Sequence, residues 1–417
     1  MKKKKLLTLF GSICLVLVLA ALLLPACAKE APAPPAPAPP APAPPKPAPP
    51  KPAPPKPEVK WEDALPEVIT FTAYDVGSTG YVQAGAMGEG LMKKYGVKVR
   101  VIPSGTASGR LMPLLTGKAM FANCGDESYF AWEGIYECRD MGIGPQLVRQ
   151  VVAVPYCTTM ATAKDANIKT YADLKGKRVA WIPGASTLNV KATAVLAFGN
   201  ATWDDVEKVE FPSYSASLKG LIEGKVDAAI AGISAGLMYE LEASPRGLFY
   251  PEYPHADKEA WDRMLAIAPW LGPGLWDEGP TLTKGKPQEM WIYRYPNMIT
   301  FEKTSVDVVY ALVRALDEAW PLYKDISPEM MRWRPEKFLP PGVNAPYHAG
   351  AIKYFKELGI WTSEHDAFQA KMLAHEAEVQ ALWQATVAEA LEKGIKGKEF
   401  PALWLEKRAA KGWMVEL

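Results

Sequence analysis

Val68-Ile69-Thr70-Phe71-Thr72-Ala73-Tyr74 is an apolar run rich in β-branched residues, and behind it Ala84, Met87, Leu91 and Tyr95 recur at spacings of three, four and four. The run predicts a strand and the recurrence a helix, because side chains alternate faces along a strand and return to one face of a helix every 3.6 residues. The order then repeats. Val97-Lys98-Val99-Arg100-Val101-Ile102 alternates as a half-buried strand, Leu111, Leu114 and Leu115 mark a second helix, and Ala119-Met120-Phe121-Ala122 a third strand. Such a βαβαβ series implies a parallel sheet with helices on both faces. Pro113 is tolerated only in a helix's first turn, so the second helix is expected to start late or to kink.

A second series follows Arg149. Val151 to Tyr156 is a strand candidate, Arg178-Val179-Ala180-Trp181-Ile182 another, Val209-Glu210-Phe211 a weaker one, and Val226-Asp227-Ala228-Ala229-Ile230-Ala231 a strong one, with helical segments between them. Two α/β lobes are the simplest account. Ligands in open parallel sheets bind beyond the carboxyl ends of the strands, where helix N-termini offer free amides and partial positive charge.

Three strand-to-helix turns are rich in small hydroxylated residues: Gly77-Ser78-Thr79-Gly80-Tyr81, Ser104-Gly105-Thr106-Ala107-Ser108-Gly109 and Pro183-Gly184-Ala185-Ser186-Thr187. Each alone reads as an N-cap or a tight turn. Three of one type over two lobes favour a shared cleft for an anion or a polar ligand.

The flanking sequence is of another kind. Of the 417 residues 49% are hydrophobic and 22% charged, which suits a sizeable core and excludes disorder for the bulk. The 47 basic and 46 acidic side chains balance to +1, which gives no field for gripping a phosphate backbone and argues against nucleic acid as a partner. Sixteen of the 39 prolines fall between Pro32 and Pro57. Lys2 to Lys5 and the apolar run from Leu6 to Ala26, ending in Leu24-Pro25-Ala26-Cys27, read as an export signal. That ending resembles a bacterial lipobox, so Cys27 is the expected lipidation site and the body is expected outside the cytoplasm; an uncleaved transmembrane anchor is the alternative. Residues 28–60 repeat Ala-Pro-Pro and Lys-Pro units that favour polyproline II and read as a stalk, at about 3.1 Å per residue.

Cys124, Cys138 and Cys157 in the body allow at most one internal pair, so no disulfide framework is implied. There is no Cys-x-x-Cys and no His-x-x-x-His, and the four histidines (His255, His348, His365, His375) all lie in the second half, so neither a metal nor a cofactor is expected.

The turns resemble those of the TAXI family, the extracytoplasmic solute receptors of one branch of the TRAP transporters. The likeness covers roughly Val68 to Gly359 and rests on the two serine-threonine loops above, Leu115-Thr116-Gly117-Lys118-Ala119, Ala172-Asp173-Leu174-Lys175-Gly176-Lys177-Arg178-Val179, Glu223-Gly224-Lys225-Val226-Asp227-Ala228-Ala229 and Pro346-Tyr347-His348-Ala349-Gly350-Ala351-Ile352-Lys353-Tyr354. It implies a two-lobed periplasmic-binding-protein-like α/β fold of type II with a cleft between the lobes. The receptor would close over a small, carboxylate-bearing solute, an organic acid or amino acid, and hand it to an ion-gradient-driven TRAP permease. The residues expected at the ligand are Ser78, Thr79, Gly80 and Tyr81 on one lip, Thr106, Ala107 and Ser108 beside it, and Ser186 and Thr187 across the cleft. Arg110 is the nearest cation and Ser234 a further donor. The chain then divides into a signal segment at 1–27, the stalk at 28–60, lobe I at 61–160 with a return at 298–365, lobe II at 161–297, and a helical tail at 366–417.

Two other readings compete. Gly232-Ile233-Ser234-Ala235-Gly236 spells the Gly-x-Ser-x-Gly elbow of a serine hydrolase, for which His255, His348, His365 or His375 could formally supply the base, but the upstream His-Gly oxyanion signature is missing. A sensory module that reports ligand occupancy in trans is the other. In the tail, Phe368, Met372, Val379, Leu382, Trp383, Val387 and Leu391 form a near-helical stripe that either packs across the back of the lobes or makes a homodimer contact.

Overall fold

The computed structural model describes residues 60–338 and 345–413, so the signal segment, Cys27 and all but the last residue of the stalk lie outside the described residues. Lobe I opens with β1 (Val68–Ala73), α1 (Thr79–Tyr95), β2 (Lys98–Pro103), α2 (Ala107–Leu115), β3 (Phe121–Cys124), α3 (Glu127–Glu133) and the single turn α4 (Glu137–Asp140). The long strand β4 (Val148–Ala163) leads into lobe II: β5 (Arg178–Trp181), α5 (Ser186–Phe198), β6 (Glu207–Glu210), α6 (Tyr214–Ile222), β7 (Ala228–Gly232), α7 (Gly236–Ala243), β8 (Leu248–Phe249), α8 (Lys258–Ile267) and β9 (Gly272–Trp276). A second long strand, β10 (Gln288–Phe301), returns to α9 (Val306–Ala319) and α10 (Ala349–Glu357), and the tail is α11 (Ser363–Lys393) with α12 (Glu399–Ala410).

The strands run in the order β2-β1-β3-β10-β4-β7-β5-β6, with β8 beside β4 and β9 beside β10. Each half repeats one pattern. β2-β1-β3 are parallel and flanked by antiparallel β10; β6-β5-β7 are parallel and flanked by antiparallel β4. The parallel pairing expected from the βαβ units is present within each lobe, and β4 and β10 add antiparallel pairs that make the sheet mixed. The connecting strands cross between the lobes in opposite directions, and each enters the sheet it joins against the grain. This is a two-lobed fold of the periplasmic-binding-protein type II class.

Local chemistry sets the helix ends. Extended Ser78 accepts the Tyr81 amide at 3.2 Å and starts α1, which stops at left-handed Gly96; Thr106 caps α2 through the Gly109 amide at 3.3 Å. The late start expected of α2 is corrected, for it begins at Ala107 and carries Pro113 inside its last turn. There the proline ring costs the helix its bond back to Gly109, and the helix ends two residues later.

Two large apolar cores follow the lobes. In lobe I, Phe71 meets Phe121 edge-on at 6.0 Å beneath α1 and α9; in lobe II, Val179, Leu196, Leu218 and Ile230 pack β5 and β7 between α5 and α6. The second core runs on through Tyr74, Tyr156 and Tyr295 into the cleft, so the lobes meet over apolar and aromatic surface. Phe130 of α3 and Trp270 beyond α8 extend that seam, their rings 5.7 Å apart.

The tail packs on lobe I. Arg149 at the start of β4 grips Glu376 of α11 with two bonds of 2.7 and 2.8 Å, Arg408 of α12 holds Glu133 of α3 at 2.8 Å, and Trp383 packs edge-on against Trp404. Of the apolar stripe, Val379 and Trp383 are buried while Phe368 and Leu391 are exposed.

Candidate functional site

The first strand-to-helix turns of both lobes face one another across a small cavity of about 20 Å³, room for about one water. Five tyrosines wall it: Tyr74 after β1, Tyr156 on β4, Tyr214 opening α6, and Tyr293 and Tyr295 on β10. Ser78, Thr79 and Thr158 add hydroxyls, and Leu188 and Gly232 complete the lining. Tyr293 and Tyr295 stand on the same face of their strand, two residues apart, and stack at 5.8 Å. Burial pushes all five phenols above their ordinary range, so each is a neutral hydroxyl able to donate.

Hydroxyl bonds join the lobes around this space. Tyr74 meets Thr187 at 3.2 Å, and the Tyr156 hydroxyl touches both Thr79 of lobe I at 2.9 Å and Ser234 of lobe II at 3.2 Å. At the rim the Ala107 amide donates to the Gly184 carbonyl at 3.0 Å, and Asp75 accepts the Ser215 amide at 3.1 Å, capping α6 from the opposite lobe. At Gly105 the lobes press together, since a Cβ there would lie 2.5 Å from the Ser213 Cβ. Glu137 of α4 reaches across to Ser186, accepting from its amide at 3.2 Å and its hydroxyl at 2.8 Å. Burial pushes the Glu137 carboxyl up against those bonds.

Two ion pairs lie behind the tyrosine wall. Arg110 donates from Nε to Glu127 at 2.6 Å and from Nη1 to the Ser104 carbonyl at 2.8 Å, and its guanidinium lies 3.4 Å from the Tyr74 ring centre. Lys191 of α5 bonds Asp126, at the start of α3, and sits 4.3 Å from the Tyr293 ring centre. All four charged groups are buried. Arg110 Nη2 is buried without a hydrogen-bond partner, and the Asp126 carboxylate lies within reach of the Trp270 side chain as well as Lys191.

The expected residues are distributed as follows. Ser78 and Thr79 line the cavity, and Thr187 and Ser234 bond to tyrosines that do. Gly80 is buried against the Tyr295 hydroxyl, which a Cβ would approach to 2.1 Å, so only glycine fits. Tyr81 contributes its amide to the Ser78 cap, Thr106 caps α2, and Ala107 makes the rim bond to Gly184. Ser108, in the first turn of α2, is half-buried and not among the lining residues, and Ser186 is occupied by Glu137. Arg110 is no solvated helix residue: it is fully buried and neutralised by Glu127. Sequence reasoning missed Tyr156, Tyr214, Tyr293 and Tyr295 as a group, and with them Asp126, Glu127 and Lys191. The alternation of Tyr293 and Tyr295 was the available signal.

Ser234 does stand in a strand-turn-helix bend between β7 and α7, but its hydroxyl partner is Tyr156. His255 bonds the Met290 carbonyl, His348 caps α10, His365 caps α11, and His375 pairs with Glu133. Among the described residues no group of three or more His, Cys, Asp or Glu is placed to hold a metal ion, and no helix is long and apolar enough to cross a membrane. Cys124, Cys138 and Cys157 are buried free thiols.

Among solved structures, the alkanesulfonate-binding protein SsuA from Xanthomonas axonopodis pv. citri, bound to MOPS, is similar at 17% identity over 80% of this chain and 96% of that one, with a TM-score of 0.42. SsuA from Escherichia coli matches at 17% over 80% and 90%, with a TM-score of 0.38. MatC from Rhodopseudomonas palustris with bound malate matches at 15% over 70% and 97%, with a TM-score of 0.44. The NMT1-like family matches residues 72–359, from the end of β1 to just past α10, and so takes in both lobes and every residue that lines the cavity. The chain belongs to the NMT1-like family.

Proposed function

We propose that the protein is an extracytoplasmic solute receptor that closes its two lobes over one small polar molecule and delivers it to a membrane permease. The observation that carries this reading is the cleft, where loops from both lobes hydrogen-bond to each other around a cavity neither lobe encloses alone. Two crossing strands join the lobes, and strands of that kind can bend while the sheets on either side stay intact. The likeness of its serine-threonine loops to those of the TAXI family supports a receptor of that branch of the TRAP transporters, served by an ion-gradient-driven permease. Cys27 is the lipid attachment point, residues 28–60 the spacer from the membrane, and the lobes divide at β4 and β10.

The ligand contacts are Ser78, Thr79 and the five tyrosines, with Thr187 and Ser234 orienting Tyr74 and Tyr156. The α11–α12 tail stiffens lobe I through α3, and its exposed Phe368 and Leu391 are the surface a second copy would meet. A thermal-shift screen of organic acids and amino acids, paired with small-angle scattering, tests the reading. Binding should raise the melting temperature, by linkage worth about 2.7 kcal/mol at one hundred times the Kd, and should compact the molecule. Stabilisation without compaction would sink the closure mechanism. For Cys27→Ala, release of the body into the soluble exported fraction is expected, and retention in the membrane would point to an uncleaved anchor.

A further inference from the structure

We infer that a second site, distinct from the tyrosine cavity, lies in the crevice between α4 and α5 and takes a small organic cation, a primary ammonium group on an apolar body. The crevice has a volume of about 250 Å³, more than ten times that of the tyrosine cavity. Lobe I contributes Tyr136, Glu137 and Asp140, and lobe II faces them with Trp181 of β5 and with Ser186 and Val190 of α5. The site goes beyond the receptor reading, since it holds whatever solute the lobes close over.

The sign of the charge decides the ligand. Glu137 and Asp140 are the charged residues of the lining, and no lysine, arginine or histidine lines the crevice. Glu137 is only 8% exposed, and its oxygens accept from neutral groups, the Ser186 amide at 3.2 Å and the Ser186 hydroxyl at 2.8 Å. The other buried carboxylates of the cleft each have a cation, Arg110 for Glu127 and Lys191 for Asp126. Glu137 has none: Arg139 on its own turn bonds Asp140, and the charge that acts on Glu137 from α3 is another carboxylate, Glu127. A buried carboxylate without a counter-ion is costly, and each of its oxygens keeps room for one further donor.

The rest of the lining sets the shape of the ligand. Asn189 commits both amide atoms to the Ile182 backbone, and the Thr193 hydroxyl lies between the Asn189 carbonyl and the Trp203 indole, so neither is left to hold a polar body. Beside the carboxylates stand the rings of Tyr136 and Trp181 and the Val190 methyls, a surface that suits an alkyl chain next to a cation. Trp181 already takes one cation, for the exposed Lys208 ammonium lies 4.8 Å from its ring centre and outside the lining. An anion is excluded, because the Ser186 amide that opens α5 is given to Glu137. A primary ammonium fits better than a quaternary one, since its N–H groups can reach the carboxylate oxygens.

Ligand-observed NMR titration of the full chain, in amine-free buffer, tests this with butylamine, 1-butanol and tetramethylammonium; the alcohol lacks the charge and the quaternary ion lacks the N–H donors. Butylamine should bind about tenfold or more tighter than either. Glu137→Gln should erase the preference for amine over alcohol. Trp181→Leu leaves the carboxylate and its Ser186 bonds in place, so it tests the site even if Glu137→Gln folds poorly, and it should weaken butylamine about three- to tenfold. Butylamine affinity should also rise with pH through the raised range of the Glu137 carboxyl, where Asp140, Arg139 and Glu127 are the other charges facing it, because the ammonium takes the place of a proton. Equal affinity for butylamine and 1-butanol, affinity unchanged in both variants, or an affinity that falls as pH rises would each overturn the site.

Discussion

Arg110–Glu127 and Lys191–Asp126 are two ion pairs of the same chemistry and the same burial, yet they do different things. The first joins α2 to α3 inside lobe I; the second joins α3 of lobe I to α5 of lobe II. In the receptor reading proposed above, parting of the lobes would leave the first in place and pull the second into water. A buried pair contributes little net stability, because desolvation offsets most of the attraction, but removing one partner strands the other. In the first pair the stranded charge has no escape short of unfolding. In the second it is rehydrated by opening the cleft. On the proposed closure, Arg110 would maintain the lobe and Lys191 would maintain closure.

The largest effect is therefore expected from Arg110→Met, which leaves Glu127 buried without its cation. Thermal unfolding should show a loss of about 3–5 kcal/mol, the same with or without ligand. A loss that vanished on adding ligand would place Arg110 with closure and dissolve the distinction. Lys191→Met should cost the free protein much less, since the open form hydrates Asp126, and should show instead as an open-like scattering profile and an affinity about tenfold or more weaker. Melting as damaging as that of Arg110→Met would mean that the lobes do not part.

Gly105→Val separates closure from charge altogether. Its side chain must enter the space taken by Ser213, whose Cβ lies 2.5 Å from the first added carbon, while both ion pairs keep their residues. It should hold the lobes apart and weaken binding by about tenfold with little change in free-protein stability; normal affinity would show that the rim does not gate the cleft. A smaller, titratable contribution is expected from Glu137. Burial raises its carboxyl in the closed form and Ser186 opposes the rise, so closure binds a proton more readily than the open form. The help to closure is then full below the ordinary carboxylate range and is lost as pH rises through the raised value. Affinity measured against pH should fall across that window, and Glu137→Gln should flatten the profile. The smallest effect belongs to Ser234→Ala, one hydroxyl bond to Tyr156, worth about 0.5–1.5 kcal/mol or a two- to twelvefold loss of affinity. Labelling of Ser234 by a serine-directed inhibitor, with loss of ester turnover, would contradict the receptor reading.

Much of this was legible in the chain because local rules govern it. The alternation from Val68 to Tyr74, the helical recurrence of Ala84, Met87 and Leu91, and the caps at Ser78 and Thr106 depend on residues a few positions apart. They sufficed to read α/β units and to mark the turns that face the cleft. β10 was harder to see, for its Tyr293-Arg294-Tyr295-Pro296-Asn297 centre mixes aromatic, charged and turn-forming residues, and a peptide bond that is cis at Pro296. Its length shows only once β3, β4 and β9 are laid beside it.

By itself the sequence determined the units and their caps, since strand alternation, helix period and capping are carried by neighbouring residues. Tertiary structure alone decided the direction of β4 and β10 and the identity of the cavity wall. Tyr74, Tyr156, Tyr214 and the pair Tyr293 and Tyr295 come from four separate places in the chain, and only the crossing of two long strands brings them together. The same holds for Arg110 and Lys191. Lysine and arginine on helices are ordinarily solvated, and what buries these two is a carboxylate reached through space, 17 and 65 residues away. A local pattern records which face a side chain takes but not which charge will stand opposite it, and that second fact decides whether burying a cation is tolerable.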